Sequence, residues 1–446
     1  MRIQGERNCR SAGGWLTLRD GRARLVTSGW LWAFSALYTF GQTPPTQLNL
    51  EDCVRLAQSA PSSVRLARQQ TEIARYGITQ ARAGFLPQFS VGNSYTYNSP
   101  LLYDRSTASF LPLNGIREYS SLATTGVEFD TSGRLRAGMD RARADRDAAN
   151  VNLGLSERDL KRAVAASYYH VLLTRNLVEA ARANLTEARA FEDRVRRLTE
   201  GGEASQADLI KASSQVVILD QAQQALELEA RLANHDLASF WTADVDTLLG
   251  LVDVMGQPLP APEAPTVAAP FLRRIEFNLF DAQQRGFLAD SRRARAELRP
   301  RTSLVFQYGI DAQRVSINNR GYATFIRLDV PVFDWFRSRS ASQQFQLQAQ
   351  QVGTTRQIAE RVFSKEYQDA LARVQLIYAQ IASTDAQVKL SEDNLRLSRV
   401  RYEGGEGPAL DVVAAQAQLV QVRNNYYAVR ASYLNARADL EVARGQ

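Results

Sequence analysis

Histidine, cysteine and lysine are scarce in this chain, and each scarcity closes a class of function. Only two histidines, His170 and His235, occur in 446 residues. Neither has a partner at metal-ligand spacing, so no histidine-built metal centre is expected. The two cysteines, Cys9 and Cys53, exclude a disulfide framework or a structural zinc cluster. Cys53 falls in a helical pattern and reads as a small buried residue. Beyond the N-terminal segment, no uncharged apolar run reaches the ~18 residues of a helical membrane span. A P-loop, a G-x-S-x-G elbow and an H-E-x-x-H pair are all missing. The acidic residues are scattered along helical faces, where a solvated charge is the default. The chain therefore reads as a non-enzyme, with no catalytic residues, no bound metal and no cofactor.

Charge needs the same scrutiny. Four lysines (Lys161, Lys211, Lys365, Lys389) stand against 50 arginines, and the formal charge is +7. The arginines are spread along the whole chain instead of forming a basic patch, a pattern that base composition of the gene explains. Residues 1–41 hold six arginines and two acids. Removing them leaves +3, and a nucleic-acid partner is not expected. That segment has the form of a secretory signal. Arg22 and Arg24 precede an uncharged stretch from Leu25 to Phe40, with Thr39 and Gly41 as small residues before a cleavage point.

What is abundant is internal order. Residues 195–240 align without gaps to 398–443, an offset of 203. Glu200-Gly201-Gly202-Glu203 matches Glu403-Gly404-Gly405-Glu406, and Asp208 matches Asp411. Upstream, Val164, Val171, Val178 and Leu185 fall on Tyr367, Val374, Ile381 and Val388, giving seven-residue apolar rows in both halves. The chain thus divides into a signal-like segment 1–41, a first repeat 48–250, a Pro-rich linker 251–267 and a second repeat 268–446.

Each repeat has the same order of elements. A helix (50–83; about 268–297) ends at Pro87 or Pro300. Two strands follow, the first over 89–97 or 303–311 and the return over about 119–130 or 322–333. Alternation of apolar and polar residues gives each strand two unlike faces. The hairpin of the first repeat, about 98–118, is the longer. A proline-free helix comes next, 134–199 or 336–403. At ~1.5 Å per residue it extends on the order of 100 Å. A Gly-Gly tip and a returning helix (206–240; 409–443) complete the unit. In the second repeat Phe363, Ala370 and Ile377 form an apolar row beside the first, as a wall of helices requires.

The strands carry aromatic residues near their ends: Tyr95, Tyr97, Tyr103, Tyr119, Phe129, Tyr308, Tyr322, Phe325, Phe333, Trp335 and Phe336. Such girdles fit outer-membrane strands, although an ordinary small sheet can alternate in the same way. Four strands cannot close a membrane barrel, which needs about eight at least. Open edges are not tolerated in lipid, so several chains would have to pool their strands.

These residues resemble the TolC-type outer-membrane efflux proteins over about 48–443. The resemblance rests on LNLEDCVRLAQSAPSSVRLARQQ at 48–70, Ala-Gly-Phe-Leu-Pro at 83–87, Pro331-Val332-Phe333-Asp334, and Arg401-Tyr402-Glu403-Gly404-Gly405 followed by Leu410-Asp411-Val412. It implies a mostly helical fold with a small β part. Two tandem repeats of long coiled-coil helices plus a β-hairpin would trimerise into a 12-stranded barrel and an α-helical tunnel. It implies a passive export duct that sits in outer-membrane lipid and extends far into the periplasm. Its partners would be a periplasmic adaptor and an inner-membrane transporter.

Site roles follow from the same resemblance. Gly201, Gly202, Gly404 and Gly405 match the tips that meet the adaptor. Asp208 and Asp411 match acidic residues at the periplasmic entrance, where three copies would favour cations. Tyr402 matches a tyrosine of the links that close it. Tyr95, Tyr97, Tyr119, Phe129, Tyr308, Tyr322 and Phe333 would form the membrane aromatic belt. Gly407 stands where some members carry a gate arginine, and Ala414 where some carry a second aspartate. Helix capping is the plain alternative for Asp208 and Asp411. A periplasmic coiled-coil adaptor or scaffold is the competing reading. It would share the signal and the long helices but should lack aromatic membrane strands and the full repeat.

Overall fold

Proline and glycine set most of the element boundaries in the structure, a computed structural model that describes residues 47–99, 116–262 and 269–445. The signal-like segment with Cys9, most of the first hairpin loop with Tyr103, and the end of the Pro-rich linker lie outside the described residues. Helix α1 (Leu50–Ser59) opens with a capping box. The Asn49 side chain accepts from the Asp52 N–H at 2.8 Å, and the Asp52 carboxylate accepts from the Asn49 N–H at 3.3 Å. Helix α2 (Ser63–Ala83) is separate, so the single helix expected over 50–83 is corrected. Pro61 forces Ala60 into an extended conformation and ends α1.

Strands β1 (Gln88–Tyr97) and β2 (Arg117–Phe129) follow, then helix α3 (Arg134–Glu200) and helix α4 (Gln206–Ala238). The second repeat begins with a 3-10 turn at Pro270–Arg273. It continues with α5 (Glu276–Ala296), β3 (Arg301–Ala312), β4 (Arg320–Asp329), α6 (Arg337–Glu403) and α7 (Ala409–Arg444). The expected return strand 322–333 is corrected at its end. Pairing with β3 stops at Asp329, opposite Arg301, and Pro331 has no N–H to continue a ladder. Phe333 therefore lies beyond the strand.

Helices α3 and α6 have 67 residues each and are related by the offset of 203. The four strands form one antiparallel sheet in the order β1-β2-β3-β4, so β2 and β3 join the two repeats. The heptad rows become the helical core. Val164, Val171, Val374 and Val195 are fully buried, and Val178, Leu185, Tyr367, Ile381 and Leu395 nearly so. Each such side chain contributes about 1.5–3 kcal/mol of burial free energy.

The largest core cluster surrounds Tyr168, Leu237 and Met255 and includes the free thiol of Cys53. Burial, and then the nearby charge of Asp52, push that thiol up to about 11, which leaves it protonated and inert. The Pro-rich segment after α4 lies as a strap on this core. Leu251 bridges Leu48, the Tyr168 hydroxyl donates to the Val252 carbonyl at 2.8 Å, and the Tyr433 hydroxyl donates to the Pro260 carbonyl.

The entry to α5 is built differently. Arg274, 7% exposed, donates to Glu276 at 2.7 Å and to Glu366 at 2.5 Å, and its guanidinium lies 3.7 Å from the Phe363 ring centroid. Arg158 of α3 donates to the same Glu276 at 2.7 Å. Burial alone would raise the Glu276 carboxyl; the hydrogen bonds from Arg274 and Arg158 outweigh it and hold the group down at about 2.

The two sheet-to-helix corners also differ. At the residue just before the helix the backbone is left-handed in both, and that residue is Gly133 (φ 80°) in the first repeat but Phe336 (φ 61°) in the second. Trp335 is left-handed as well, at φ 56°. Glycine pays nothing there, whereas each aromatic residue costs about 1–2 kcal/mol.

Candidate functional site: one sheet face and two helix tips

Residues opposite one another in an antiparallel ladder share a face, so the register sorts the sheet. Phe89, Val91, Tyr95 and Tyr97 of β1 oppose Thr125, Ala123, Tyr119 and Arg117 of β2. Ala123, Thr125, Val127 and Phe129 oppose Tyr308, Phe306, Leu304 and Thr302 of β3. Those four oppose Tyr322, Thr324, Ile326 and Leu328 of β4. One face is therefore apolar, and Phe89, Tyr322 and Ile326 on it are more than 70% exposed. The other face carries Ser90, Ser94, Glu118, Ser120, Glu128, Ser303, Gln307, Asp311, Arg327 and Asp329.

Six of the seven aromatic residues expected in the belt (Tyr95, Tyr97, Tyr119, Phe129, Tyr308, Tyr322) fall on the apolar face. The tyrosines cluster toward the hairpin ends, with Tyr95 and Tyr119 at 4.9 Å between ring centroids. Phe89 and Phe129 mark the helix end. Ten residues at ~3.3 Å, tilted by roughly 40°, reach about 25 Å, the height of an outer-membrane apolar band. Among the described residues strand β1 pairs only with β2, and β4 only with β3, so both edges of the sheet are open.

At the far end of the long helices, Gly202 (φ 78°) and Gly405 (φ 72°) turn the chain, while Gly201 and Gly404 keep helical φ values of −76° and −80°. Only the second glycine of each pair is thus required by the backbone. The Glu203 N–H donates to the Leu198 carbonyl at 2.8 Å, and the Glu406 N–H to the Arg401 carbonyl at 2.9 Å, so both tips close in the same way. The returning helices begin differently. The Asp208 N–H donates to Ser205 Oγ at 3.1 Å, that hydroxyl donates back to Asp208 Oδ2 at 2.8 Å, and Lys211 Nζ lies 3.7 Å from the same carboxylate. The cap is therefore Ser205, and Asp208 is bound to its hydroxyl. Asp411 follows Pro408, which has no capping side chain, and its carboxylate is exposed with no ion pair among the described residues.

Tyr402 is held between the two hairpins. Its ring meets Phe191 of α3 edge to face at 5.3 Å, and its hydroxyl is buried with no hydrogen-bond partner among the described residues. Burial, and then the negative charge of Asp208, raise its phenol. The structure thus brings Tyr402 and Asp208 into one neighbourhood. Gly407 stands between Arg401 and Asp411. A Cβ there would lie 3.6 Å from the Arg401 Cβ and 3.7 Å from Asp411 Oδ2.

The sequence reading did not find the polar seam that joins the hairpins. Arg194 pairs with Glu403 at 2.8 Å, and Arg399 with Glu187 at 3.2 Å. Arg423 donates to Asn184 at 2.6 Å and to Glu392 at 2.9 Å. Except for Arg423–Glu392, which lies within the α6–α7 hairpin, the meeting of these partners depends on how α3 lies against α6 and α7. No periodicity signals it.

Among the described residues no cluster of acids, histidine and cysteine could hold a metal, and no helix is long and apolar enough to cross a membrane. The family model described as outer membrane efflux protein matches residues 54–241 and 277–446. No curated protein matches the sequence. Several solved structures are similar. The CmeC outer membrane channel of Campylobacter jejuni superposes with a TM-score of 0.78 at 16% identity, covering 89% of this chain and 85% of that one. The outer membrane protein VceC of Vibrio cholerae gives 0.75 at 16%, covering 89% and 96%. The open-state MtrE channel of Neisseria gonorrhoeae gives 0.75 at 18%, covering 89% and 88%. At such identities the likeness is one of fold.

Proposed function

This chain belongs to the outer membrane efflux protein family, an outer-membrane channel protein and not an enzyme, and from that premise we propose that three copies assemble into a passive export duct. The observation that carries the trimer is the sheet with one apolar face and two open edges. Lipid does not tolerate open edges, and four strands cannot close. Joining β4 of one copy to β1 of the next, three times, gives twelve strands around a polar lumen lined by the serine- and charge-bearing face. The helices point the same way. Leu376, Leu390 and Leu397 stand at multiples of seven on α6 and are more than half exposed, as a row awaiting a neighbouring helix would be.

In this assembly the tips at Gly201, Gly202, Gly404 and Gly405 meet a periplasmic adaptor that links the duct to an inner-membrane transporter. The entrance is framed by Asp208, Asp411 and Tyr402, and their contributions are unequal. Asp208 is engaged by Ser205 and Lys211, whereas Asp411 is free to face the passage. The test is to purify the protein from outer membranes as a heat-sensitive trimer and record single channels. Asp411→Asn is expected to lower cation preference more than Asp208→Asn. A soluble monomer without conductance would overturn the reading, and equal effects of the two substitutions would overturn the ranking.

A further inference from the structure

The left-handed corner of the second repeat is an unexplained expense. Phe336 occupies the backbone position that Gly133 fills in the first repeat, and Trp335 beside it is left-handed too. Among the described residues no packing offsets this strain. Trp335 is 85% exposed, and Phe333 and Phe336 are about 60% exposed. Among the described residues the rings stack on one another alone, with Phe333 at 5.0 Å from Trp335 and 5.9 Å from Phe336. The Asp334 carboxylate, accepting from the Ser338 N–H at 2.8 Å, holds the turn that thrusts them outward.

The arginines that follow repeat the contrast. In the first repeat Arg134 pairs with Glu128 at 2.6 Å and Arg136 with Asp130 at 3.3 Å. Their counterparts at the offset of 203, Arg337 and Arg339, are exposed and make no ion pair among the described residues. A cluster of outward aromatic rings followed by two exposed guanidinium groups, of which Arg337 also feels the charge of the Asp334 carboxylate, is an amphipathic pair of layers. It continues directly from β4, at the helix end of the apolar sheet face.

We propose that this corner, Phe333 to Arg339, is a phospholipid anchor at the inner-leaflet boundary of the outer membrane. The three rings sit among the upper acyl chains, and Arg337 and Arg339 bind lipid phosphates just below them. The first repeat, with its glycine turn and its paired arginines, has no such anchor. Each protomer is therefore held to the membrane plane through α6 and not through α3. The inference rests on the outer-membrane reading.

The test uses tryptophan as its own probe. Trp15, Trp30 and Trp32 lie in the signal-like segment, so Trp241 and Trp335 are the two that remain after residue 41. The trimer and its Trp335→Phe variant are reconstituted in phosphatidylethanolamine–phosphatidylglycerol vesicles brominated either high on the acyl chains or near their ends. The difference between the two proteins reports Trp335 alone. Its emission is expected to fall by roughly half or more with bromines near the head groups, and less with bromines at the chain ends. A double Arg337→Gln, Arg339→Gln variant should lose part of that quenching and shift the emission to the red. Protein that floats with vesicles and conducts, yet shows no quenching at Trp335, overturns the anchor and means that a neighbouring copy or water covers the corner. Protein that neither floats nor conducts overturns the outer-membrane reading, and the anchor with it.

Discussion

The two repeats match in their long helices and tips and differ at their junctions. Their long helices have 67 residues each, and both tips close on a left-handed second glycine. Helices of unequal length could not form one wall, and unequal tips could not end at one level. The differences fall at three junctions: the entry to the first helix pair, the corner below the sheet, and the start of the returning helix. At each one the repeat touches something its twin does not. In the proposed trimer such divergence would mark position in the assembly, and each junction can be tested against its counterpart.

The entry junctions should differ most. The first repeat enters on apolar groups: Cys53, Ala57 and Val64 are fully buried in the core around Tyr168. The second enters on charge, with Arg274 and Arg158 both donating to the part-buried Glu276. Removing one member of a buried ion pair leaves the other uncompensated and costs about 3–5 kcal/mol. Arg158 stays on Glu276 after Arg274→Ala and holds the loss of thermal stability in detergent toward the lower end of that range, which still exceeds the cost of Val64→Ala, about 2 kcal/mol for two lost buried methyl groups. The pH dependence has a definite sign. Glu276 is held at about 2 against an ordinary 4.5. Its contribution is complete above pH 4.5 and is lost as pH falls toward 2. Glu276→Gln should flatten the stability curve in that window, and an unchanged curve would remove the ion network from the account.

The corners come next. Gly133→Ala introduces a Cβ at φ 80° with room around it, the nearest atom being Arg299 Nη1 at 3.7 Å. Strain alone is then at issue, and the loss should be about 1 kcal/mol. Phe336→Gly should gain less than that, because glycine also loosens the unfolded chain. Unfolding followed by circular dichroism in detergent separates these signs. In bilayers the gain from Phe336→Gly should vanish or reverse if the ring is anchored in lipid.

Much of this architecture was legible in the sequence for a physical reason. Heptad rows and alternating strands are periodic, and a duplicated chain displays each period twice. The order of elements, the tips and the apolar sheet face all followed from that. The break at Pro61 and the end of β4 before Pro331 depend on single residues inside otherwise regular patterns. The Arg194–Glu403 and Arg399–Glu187 pairs depend on how two hairpins lie together, which no period encodes. At the entrance, sequence left Asp208 and Asp411 equivalent. Only side-chain geometry showed that one is committed to a cap and the other is exposed.

That last distinction also gives the smallest effect, at the starts of the returning helices. Ser205 caps α4 by accepting the Asp208 N–H, so Ser205→Ala should cost about 1 kcal/mol. Pro408 offers α7 no side-chain acceptor, so Pro408→Ala, which removes no cap, should change stability by only a few tenths of a kcal/mol. Pro408→Ser would supply the missing hydroxyl, yet it would also draw Asp411 toward the geometry that Asp208 adopts. The expected outcome is a small stability gain of up to about 1 kcal/mol together with a reduced cation preference in single-channel recordings. A gain in stability with cation preference unchanged would separate the cap from the carboxylate, and would mean that Asp411 does not owe its exposure to the proline before it.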